Sequence, residues 1–519
     1  MSKKSILVTI FLFAIFLISF LYRLYGLSTN NPPFWVDEFA SANQGKLLFQ
    51  QGFGVFLNPN TVLEHYNITT HLLIAVSYRI FGVNEFAARF PLVMVGSLVP
   101  VAVFFLTRHL ANASAAISAS LLVAFSYFEI TWSRQARGYI IVQFLILASF
   151  FLYLRLINLK KTTPLLSLTF LLTIFLGIIT HPLYYIFLMS VAFHFLLTNH
   201  NRVSELLKKL WFYLLFFFLI FIIYKIGFFN ALIRMFNAGT FLTNNVWYYH
   251  PFLWREYGFL TFLAITGFLF LLIKKSKAIL PILIYIGIHL MFVTFIFKPY
   301  VSRYLLPIFP FLIIGTSYIL SEISKMFSYH LGSDRAKLVF LLGLTLFIIV
   351  NGHKFVNKPK KYYSLNHDFR EISNIDYHQV YDIIKKKAGI DNDRLVVIET
   401  WWDRAHWYLG DEFNHIVALR WLDKGYVNGI SKIISYSMNE KGEKILKGNY
   451  LRLVMERSDL QLYMNKYPQG FLFIDDSTLP KDVIDYAEKN LKKELYLDYY
   501  PFDDNPYSIW PATLYSWGI

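Results

Sequence analysis

The chain has 519 residues, of which 56% are hydrophobic, 19% aromatic and only 16% charged, and it contains no cysteine. A water-soluble globular chain carries about 25% charged residues, so a single soluble core, a disordered tail protein and a disulfide scaffold are excluded, and a polytopic membrane protein is indicated. The formal charge of +16 is unevenly spread, since residues 1–352 hold 26 Lys and Arg against 9 Asp and Glu, whereas 353–519 hold 23 against 24. The surplus therefore sits among apolar segments, where Lys and Arg mark cytoplasmic loops, and no nucleic-acid partner is expected.

In chain order, the apolar stretch Ser5–Leu24 follows Lys3 and Lys4 and has the ~20 residues needed to cross a bilayer. It runs on into Gly26-Leu27-Ser28-Thr29-Asn30 without a small-residue cleavage site, so it is expected to be an uncleaved first span with a cytoplasmic N-terminus. Further apolar runs at 86–107, 110–130, 138–157, 164–180, 182–199, 210–229, 256–273, 278–297, 304–322 and 337–352 bring the expected spans to eleven. Tyr66–Phe81 is interrupted by Asn67, Thr69, Thr70, His71, Ser77 and Arg79. If it lies flat as an interfacial helix, the basic clusters at Arg108, Lys160-Lys161, Arg202 with Lys208-Lys209, Lys274-Lys275-Lys277 and Lys325 to Lys337 all fall inside. The same parity places the loops 25–85 and 230–255 and the C-terminal region outside a plasma membrane.

From Asn357 onward the texture is that of a soluble domain. Leu395–Ile398, Leu451–Val454 and Phe471–Ile474 read as strands, and 377–388, 429–446, 458–466 and 480–493 as helices. Strands alternating with helices imply a small α/β domain with a largely parallel sheet. The expected architecture is a polytopic α-helical membrane domain over 1–352, with about eleven transmembrane helices plus interfacial helices, followed by a soluble extracytoplasmic α/β domain over 353–519.

Chemistry-bearing residues are few in the apolar part. Trp35-Val36-Asp37-Glu38 follows the first span, and its two acids belong to a set of only nine carboxylates before residue 353. Such a pair suits a solvated helix start or a general base acting on a hydroxyl. Glu64-His65-Tyr66-Asn67 precedes the flat helix. Ser133-Arg134-Gln135-Ala136-Arg137-Gly138-Tyr139 and Lys298-Pro299-Tyr300-Val301-Ser302-Arg303-Tyr304 place cations on the outer side, against the inside bias. Arg134 reads as a side chain snorkelling to lipid headgroups, whereas Arg137, Lys298 and Arg303 imply an anion to neutralise. His181 lies in an outer turn, and His250 lies in the loop 230–255. With Glu64 and His65, His250 offers a divalent-metal alternative at long-range, unspecific spacing. Asp37, His65, Arg137, His181 and Arg303 all fall on one face, as a carboxylate base opposite a cation-lined pocket would require.

At these positions the chain resembles the GT-C glycosyltransferases of the protein O-mannosyltransferase and aminoarabinose transferase type. The resemblance rests on Trp35-Val36-Asp37-Glu38-Phe39-Ala40, Glu64-His65, Phe81-Gly82-Val83-Asn84-Glu85-Phe86-Ala87-Ala88-Arg89, Ser133 to Tyr139, and Arg303-Tyr304-Leu305-Leu306-Pro307. It implies transfer of a sugar from a polyprenyl-phosphate donor to a hydroxyl of a glycan, lipid or protein at the extracytoplasmic face of the bilayer, with inversion and without a nucleotide. Asp37 would be the base, with Glu38 orienting it or the acceptor. Arg137 and Arg303 would hold the lipid phosphate with Lys298 assisting, and His65, His181 and Tyr304 would line the substrate site. No cofactor is certain, a divalent metal being the open possibility. Two other readings stand beside it. Trp401-Trp402-Asp403 resembles part of an oligosaccharyltransferase motif, with Arg404-Ala405 in place of Tyr-Gly. A flippase or transporter of lipid-linked glycans would show internal repeats and broken helices at mid-membrane.

Overall fold

The computed structural model describes residues 3–28, 33–56, 67–158, 163–198, positions 213, 217, 220, 221 and 224, 242–274, 277–329, 333–363, 375–388, 394–410, 413, 415–420, 425–427, 430–432, 436–446, 451–475, 479–498 and 511–519. These fall into two compact units: Met1–Thr29 with Gln44–Tyr363, and Asn30–Asn43 with Ser364–Ile519.

In the first unit the apolar runs become helices whose ends are written in short polar residues. Helix α1 is Lys3–Leu24 and α2 is Val36–Gln51, the latter shared between the units; α3 is Ile68–Phe81. Asn84 caps α4, Glu85–Leu110, by accepting from the Ala87 N–H at 2.8 Å, and Asn112 caps α5, Ala113–Phe125, in the same way through Ala115. Each cap satisfies an N–H that the first turn leaves without a partner. Ser126 then breaks the expected run 110–130 and starts α6, Tyr127–Ser133. At the break the backbone turns extended and pairs with the 354–356 segment, Val356 N–H reaching Phe125 O at 2.8 Å and Tyr127 N–H reaching Lys354 O at 3.0 Å. Helices α7 (Tyr139–Asn158), α8 (Pro164–Thr180) and α9 (Leu183–Thr198) follow. The residue before Pro182 is disfavoured in helical conformation, which ends α8 at Thr180.

Helix α10, Val246–Pro251, continues through a π-turn at Phe252–Glu256 and bends by 90° into α11, Gly258–Ile273. The expected outer loop 230–255 therefore ends in helix. Helix α12 is Leu280–Met291, a 3-10 segment spans Ser302–Ile308, and α13 (Phe309–Tyr329) and α14 (Asp334–Asn351) complete the unit. Where α11 crosses α13, a Cβ on Gly267 would lie 2.0 Å from the Gly315 carbonyl oxygen. Two glycines thus allow a backbone approach that any side chain would block.

Four described helices are long and apolar enough to cross a membrane, or five if the bent pair counts as one span, and five shorter apolar helices accompany them. Against the eleven spans expected, the described residues form a mostly helical unit with four or five candidate spans, and most of the run 210–229 lies outside them. The 14 residues of α3 rise about 21 Å, short of a ~30 Å hydrocarbon core.

In the second unit an eight-stranded sheet runs in the order β5-β6-β7-β2-β1-β8-β10-β9. Its strands are β1 Leu395–Glu399, β2 Ile416–Leu419, β5 Tyr436–Met438, β6 Lys444–Leu446, β7 Arg452–Val454, β8 Gln469–Ile474, β9 Lys492–Leu497 and β10 Ala512–Trp517. Strands β7, β2, β1 and β8 are parallel and both flanks are antiparallel. Strand β1 is buried along its whole length, which is why it reads as an unbroken apolar run. Helices α15 (Tyr377–Ala388), α16 (Trp402–Leu409), α17 (Arg457–Lys466) and α18 (Lys481–Asn490) accompany the sheet. Leu460, Tyr463, Val483 and Ala487 pack on Val396, Ile398, Leu472 and Ile474.

The helix expected over 429–446 is instead strand, because β3 (Gly425–Val427) pairs with β4 (Ile430–Lys432), and β5 with β6. The β5–β6 turn is specified by Asn439, whose side-chain oxygen accepts from the Lys441 and Glu443 N–H groups, and by Gly442 at φ +75°. From β1 the chain passes to β2 on one side, while β8 lies on the other. The carboxyl ends of β1 and β8 therefore form a topological switch point, the usual position for a site in an open α/β sheet.

Candidate functional site

The acidic turn belongs to the second unit. Trp35 precedes the first residue of α2, and the Glu38 carboxylate reaches back to accept the Trp35 N–H at 2.9 Å. This is the reciprocal half of a capping box. Glu38 is fully buried, while Asp37 in the same turn is half-buried. The two adjacent acids are thus differentiated, Glu38 fixing the helix start and Asp37 standing at its surface.

The turn is seated by aromatic contacts within its own unit. Phe34 lies 5.0 Å from the Trp407 ring, and Phe39 lies 5.6 Å from Tyr408 and 6.1 Å from Tyr377. Asn43 Nδ2 donates to the Asp403 carbonyl at 2.8 Å. Trp401-Trp402-Asp403 thus opens the helix against which the acidic turn packs. Behind it, at the switch point, the buried Arg404 guanidinium bridges Glu399 and Asp475, each at 2.7 Å. Its faces meet the Tyr377 and Phe473 rings at 4.5 and 4.6 Å. Tyr381 donates to Glu399 at 2.7 Å and Thr400 to Asp475 at 2.8 Å. Burial pushes the Glu399 carboxyl up, and Arg404 pulls it only partly back. The Arg404 guanidinium stays well above its ordinary range, because Asp475 and Glu399 outweigh its own desolvation.

In the first unit two of the expected cations gather around Tyr139 at the start of α7. Arg303 Nε donates to the Tyr139 hydroxyl at 3.1 Å, and its guanidinium stands 5.6 Å from that ring and 5.8 Å from Trp132. Tyr139 in turn lies 4.7 Å from the His181 ring and 6.4 Å from Tyr304. Arg137 and Arg303 both act electrostatically on His181. Four of the expected residues, Arg137, His181, Arg303 and Tyr304, therefore share one neighbourhood. Two more join it, Tyr139 at the end of the Ser133–Tyr139 motif and Trp132 just before that motif, neither of them among the expected site residues. Gly138 completes it, since a Cβ there would lie 2.7 Å from Asn67 Oδ1 and 2.8 Å from Thr70 Oγ1. Two guanidiniums with tyrosine hydroxyls and a histidine are groups able to hold an anion.

Some of the other expected residues fall outside the described chain. Glu64 and His65 are outside the described residues. Lys298 is half-buried and its carbonyl receives the Asn245 side chain at 3.5 Å. His250 is exposed on α10, and among the described residues no three His, Asp or Glu side chains converge as metal ligands would. Arg134 corrects the snorkelling reading, because it is 4% exposed and donates to the carbonyls of Arg23, Tyr25 and Lys361 at 3.0, 2.6 and 2.6 Å. It secures the C-terminal end of α1, where carbonyls lack helical partners.

Residues 68–226 match the profile of the family described as dolichyl-phosphate-mannose-protein mannosyltransferase. The structure is similar to ArnT from Cupriavidus metallidurans in the apo state, at 12% identity over 99% of this chain and 98% of that one with a TM-score of 0.59. It is also similar to the same protein bound to undecaprenyl phosphate, at 11% identity, 99% and 98% coverage and a TM-score of 0.56. The archaeal oligosaccharyltransferase AglB from Archaeoglobus fulgidus, in complex with an inhibitory peptide and a dolichol-phosphate, gives 13% identity over 98% of this chain and 75% of that one, with a TM-score of 0.59. No curated protein sequence matches the chain significantly. The chain thus shares the fold of ArnT and AglB, and the stretch that matches the mannosyltransferase family model, 68–226, includes the Ser133–Tyr139 segment.

Proposed function

We propose that this protein is an integral membrane glycosyltransferase that moves a sugar from a polyprenyl-phosphate donor to a hydroxyl acceptor on a cell-surface glycan, lipid or protein at the extracytoplasmic face. The observation that carries the reading is the grouping of Arg303, Arg137, His181 and Tyr304 around Tyr139. As the bond between the anomeric carbon and the phosphate oxygen breaks, negative charge grows on the leaving phosphate. Fixed guanidiniums stabilise that growing charge more than they stabilise the ground state. Asp37 takes the proton of the attacking hydroxyl, and Glu38, committed to the Trp35 N–H, holds its turn in place. A single displacement inverts the anomeric centre. The binding of undecaprenyl phosphate by ArnT and of dolichol-phosphate by AglB supports a lipid-phosphate donor here.

The test is turnover by the full chain in detergent, supplied with a polyprenyl-phosphate hexose and an envelope extract as acceptor. Release of polyprenyl phosphate is expected, with loss of at least ~100-fold in Asp37→Asn, the scale of general-base catalysis. Full turnover by Asp37→Asn would remove the base assignment.

A further inference from the structure

Arg303 and Tyr304 do not sit on a regular helix. Their 3-10 segment, Ser302–Ile308, contains Pro307, and α13 then begins Phe309-Pro310. Proline has no N–H, so two carbonyls lose donors that an uninterrupted helix would supply. Tyr304 O lacks its 3-10 donor at position 307, and Leu306 O lacks its α-helical donor at position 310. The Phe309 N–H is shared between Leu305 O and Leu306 O.

Two buried side chains from other helices point at those same two carbonyls. His289 Nε2 of α12 lies 2.6 Å from Tyr304 O; since a carbonyl only accepts, His289 is the donor and carries its proton on Nε2. Gln143 Nε2 of α7 donates to Leu306 O at 2.6 Å and also to Glu129 Oε1 of α6 at 2.7 Å. With its amide reversed, Gln143 would present oxygen to a carbonyl and a carboxylate at once, so Glu129 fixes the amide's orientation. Gln143 stands one helical turn beyond Tyr139, which holds Arg303 by its hydroxyl. His289, Gln143 and Glu129 are all fully buried.

We propose that Gln143 and His289 are positioning residues that hold the Arg303–Tyr304 segment by the two carbonyls that Pro307 and Pro310 leave short of donors, with Glu129 orienting Gln143. The inference rests on the reading of Arg303 as a ligand of the lipid phosphate. An uncapped segment would still be tethered at both ends, but its guanidinium would no longer be held where the phosphate arrives, and anion affinity depends on such preorganisation.

The experiment measures undecaprenyl phosphate binding to the full chain in detergent alongside thermal unfolding. Gln143→Leu and His289→Leu are each expected to weaken binding by about tenfold, the effect of one lost hydrogen bond, with melting temperatures close to that of the unsubstituted chain. Glu129→Gln keeps an acceptor oxygen for Gln143 and should retain the affinity that Glu129→Leu loses, a contrast that does not depend on the folding of the Gln143 variant. Unchanged binding in Gln143→Leu and His289→Leu overturns the inference, as does equal binding by Glu129→Gln and Glu129→Leu, or an affinity loss that merely follows loss of folded protein. Failure of the unsubstituted chain to bind undecaprenyl phosphate would instead remove the reading of the site itself, and this inference with it.

Discussion

Replacement of Arg404 by methionine tests how the acidic turn is supported. The substitution keeps a long apolar stem but leaves Glu399 and Asp475, both within 2.7 Å of the guanidinium in the native chain, as buried carboxylates without a cation between them. Removing one partner of a buried ion pair costs about 3–5 kcal/mol, and loss of the two ring contacts at 4.5 and 4.6 Å adds ~1–2 kcal/mol. The hydroxyls of Tyr381 and Thr400 still donate to the carboxylates, which keeps the total at the lower end. About 4 kcal/mol remains a large part of the 5–15 kcal/mol that holds a typical domain folded.

The assay is urea unfolding of the full chain in detergent, read by proteolysis of the C-terminal unit. The pH dependence carries a sign of its own. Burial raises the folded-state Glu399 carboxyl above its ordinary value, so stability from its protonated form is present below about pH 4.3 and is lost as pH rises. Without Arg404 that rise grows, so the deficit of Arg404→Met is largest at neutral pH and shrinks toward pH 5. Arg404→Lys, which keeps the charge but not the fork that spans two carboxylates, falls between. A loss under about 1 kcal/mol in Arg404→Met, of the size of an exposed pair, would refute the reasoning.

Two further outcomes follow from the same geometry. Hydrogen bonds from Lys387, Ser516 and Lys492 overcome the burial that would raise Glu494 and hold it at about 2. Its contribution to stability is therefore complete above the ordinary Glu value of about 4.3 and lost as pH falls toward 2; urea midpoints from pH 6 to pH 2.5 should fall less in Glu494→Gln than in the unsubstituted chain. Gly138→Ala places a methyl within 2.8 Å of Asn67 Oδ1 and Thr70 Oγ1, which costs about 1–3 kcal/mol if the neighbours must shift. Thermal unfolding and undecaprenyl phosphate binding should both weaken, while Gly287→Ala, which meets nothing within 4 Å, should leave them unchanged.

Local chemistry made much of this fold legible. The apolar runs of α1, α4 and α7 follow from bilayer length alone, and Asn84 and Asn112 carry cap signals because a capping side chain acts within three residues. The cations Arg137 and Arg303 are visible because they break a loop-charge bias. What escaped is long-range. The seat of the Asp37 turn depends on contacts such as Asn43 to Asp403, 360 residues apart, and on Phe34 meeting Trp407, which no periodicity encodes. The β5–β6 hairpin was hidden because strands of three residues are too short to show alternation, although Asn439 and Gly442 carried the turn signal. Gln143 and His289 are lone polar residues in apolar runs, which more often satisfy a core contact than serve a site. Their signal lay elsewhere, in Pro307 and Pro310, whose missing N–H groups leave nearby carbonyls open to outside donors.

The most direct measurement of the central claim is an experimental structure of the full chain with undecaprenyl phosphate. Phosphate density is expected within salt-bridge distance of the Arg303 guanidinium and beside Tyr139 and Tyr304, with Arg137 on the same anion. Phosphate density away from that cluster, at Arg255 and Lys354 or along Lys298 and His250, would contradict it.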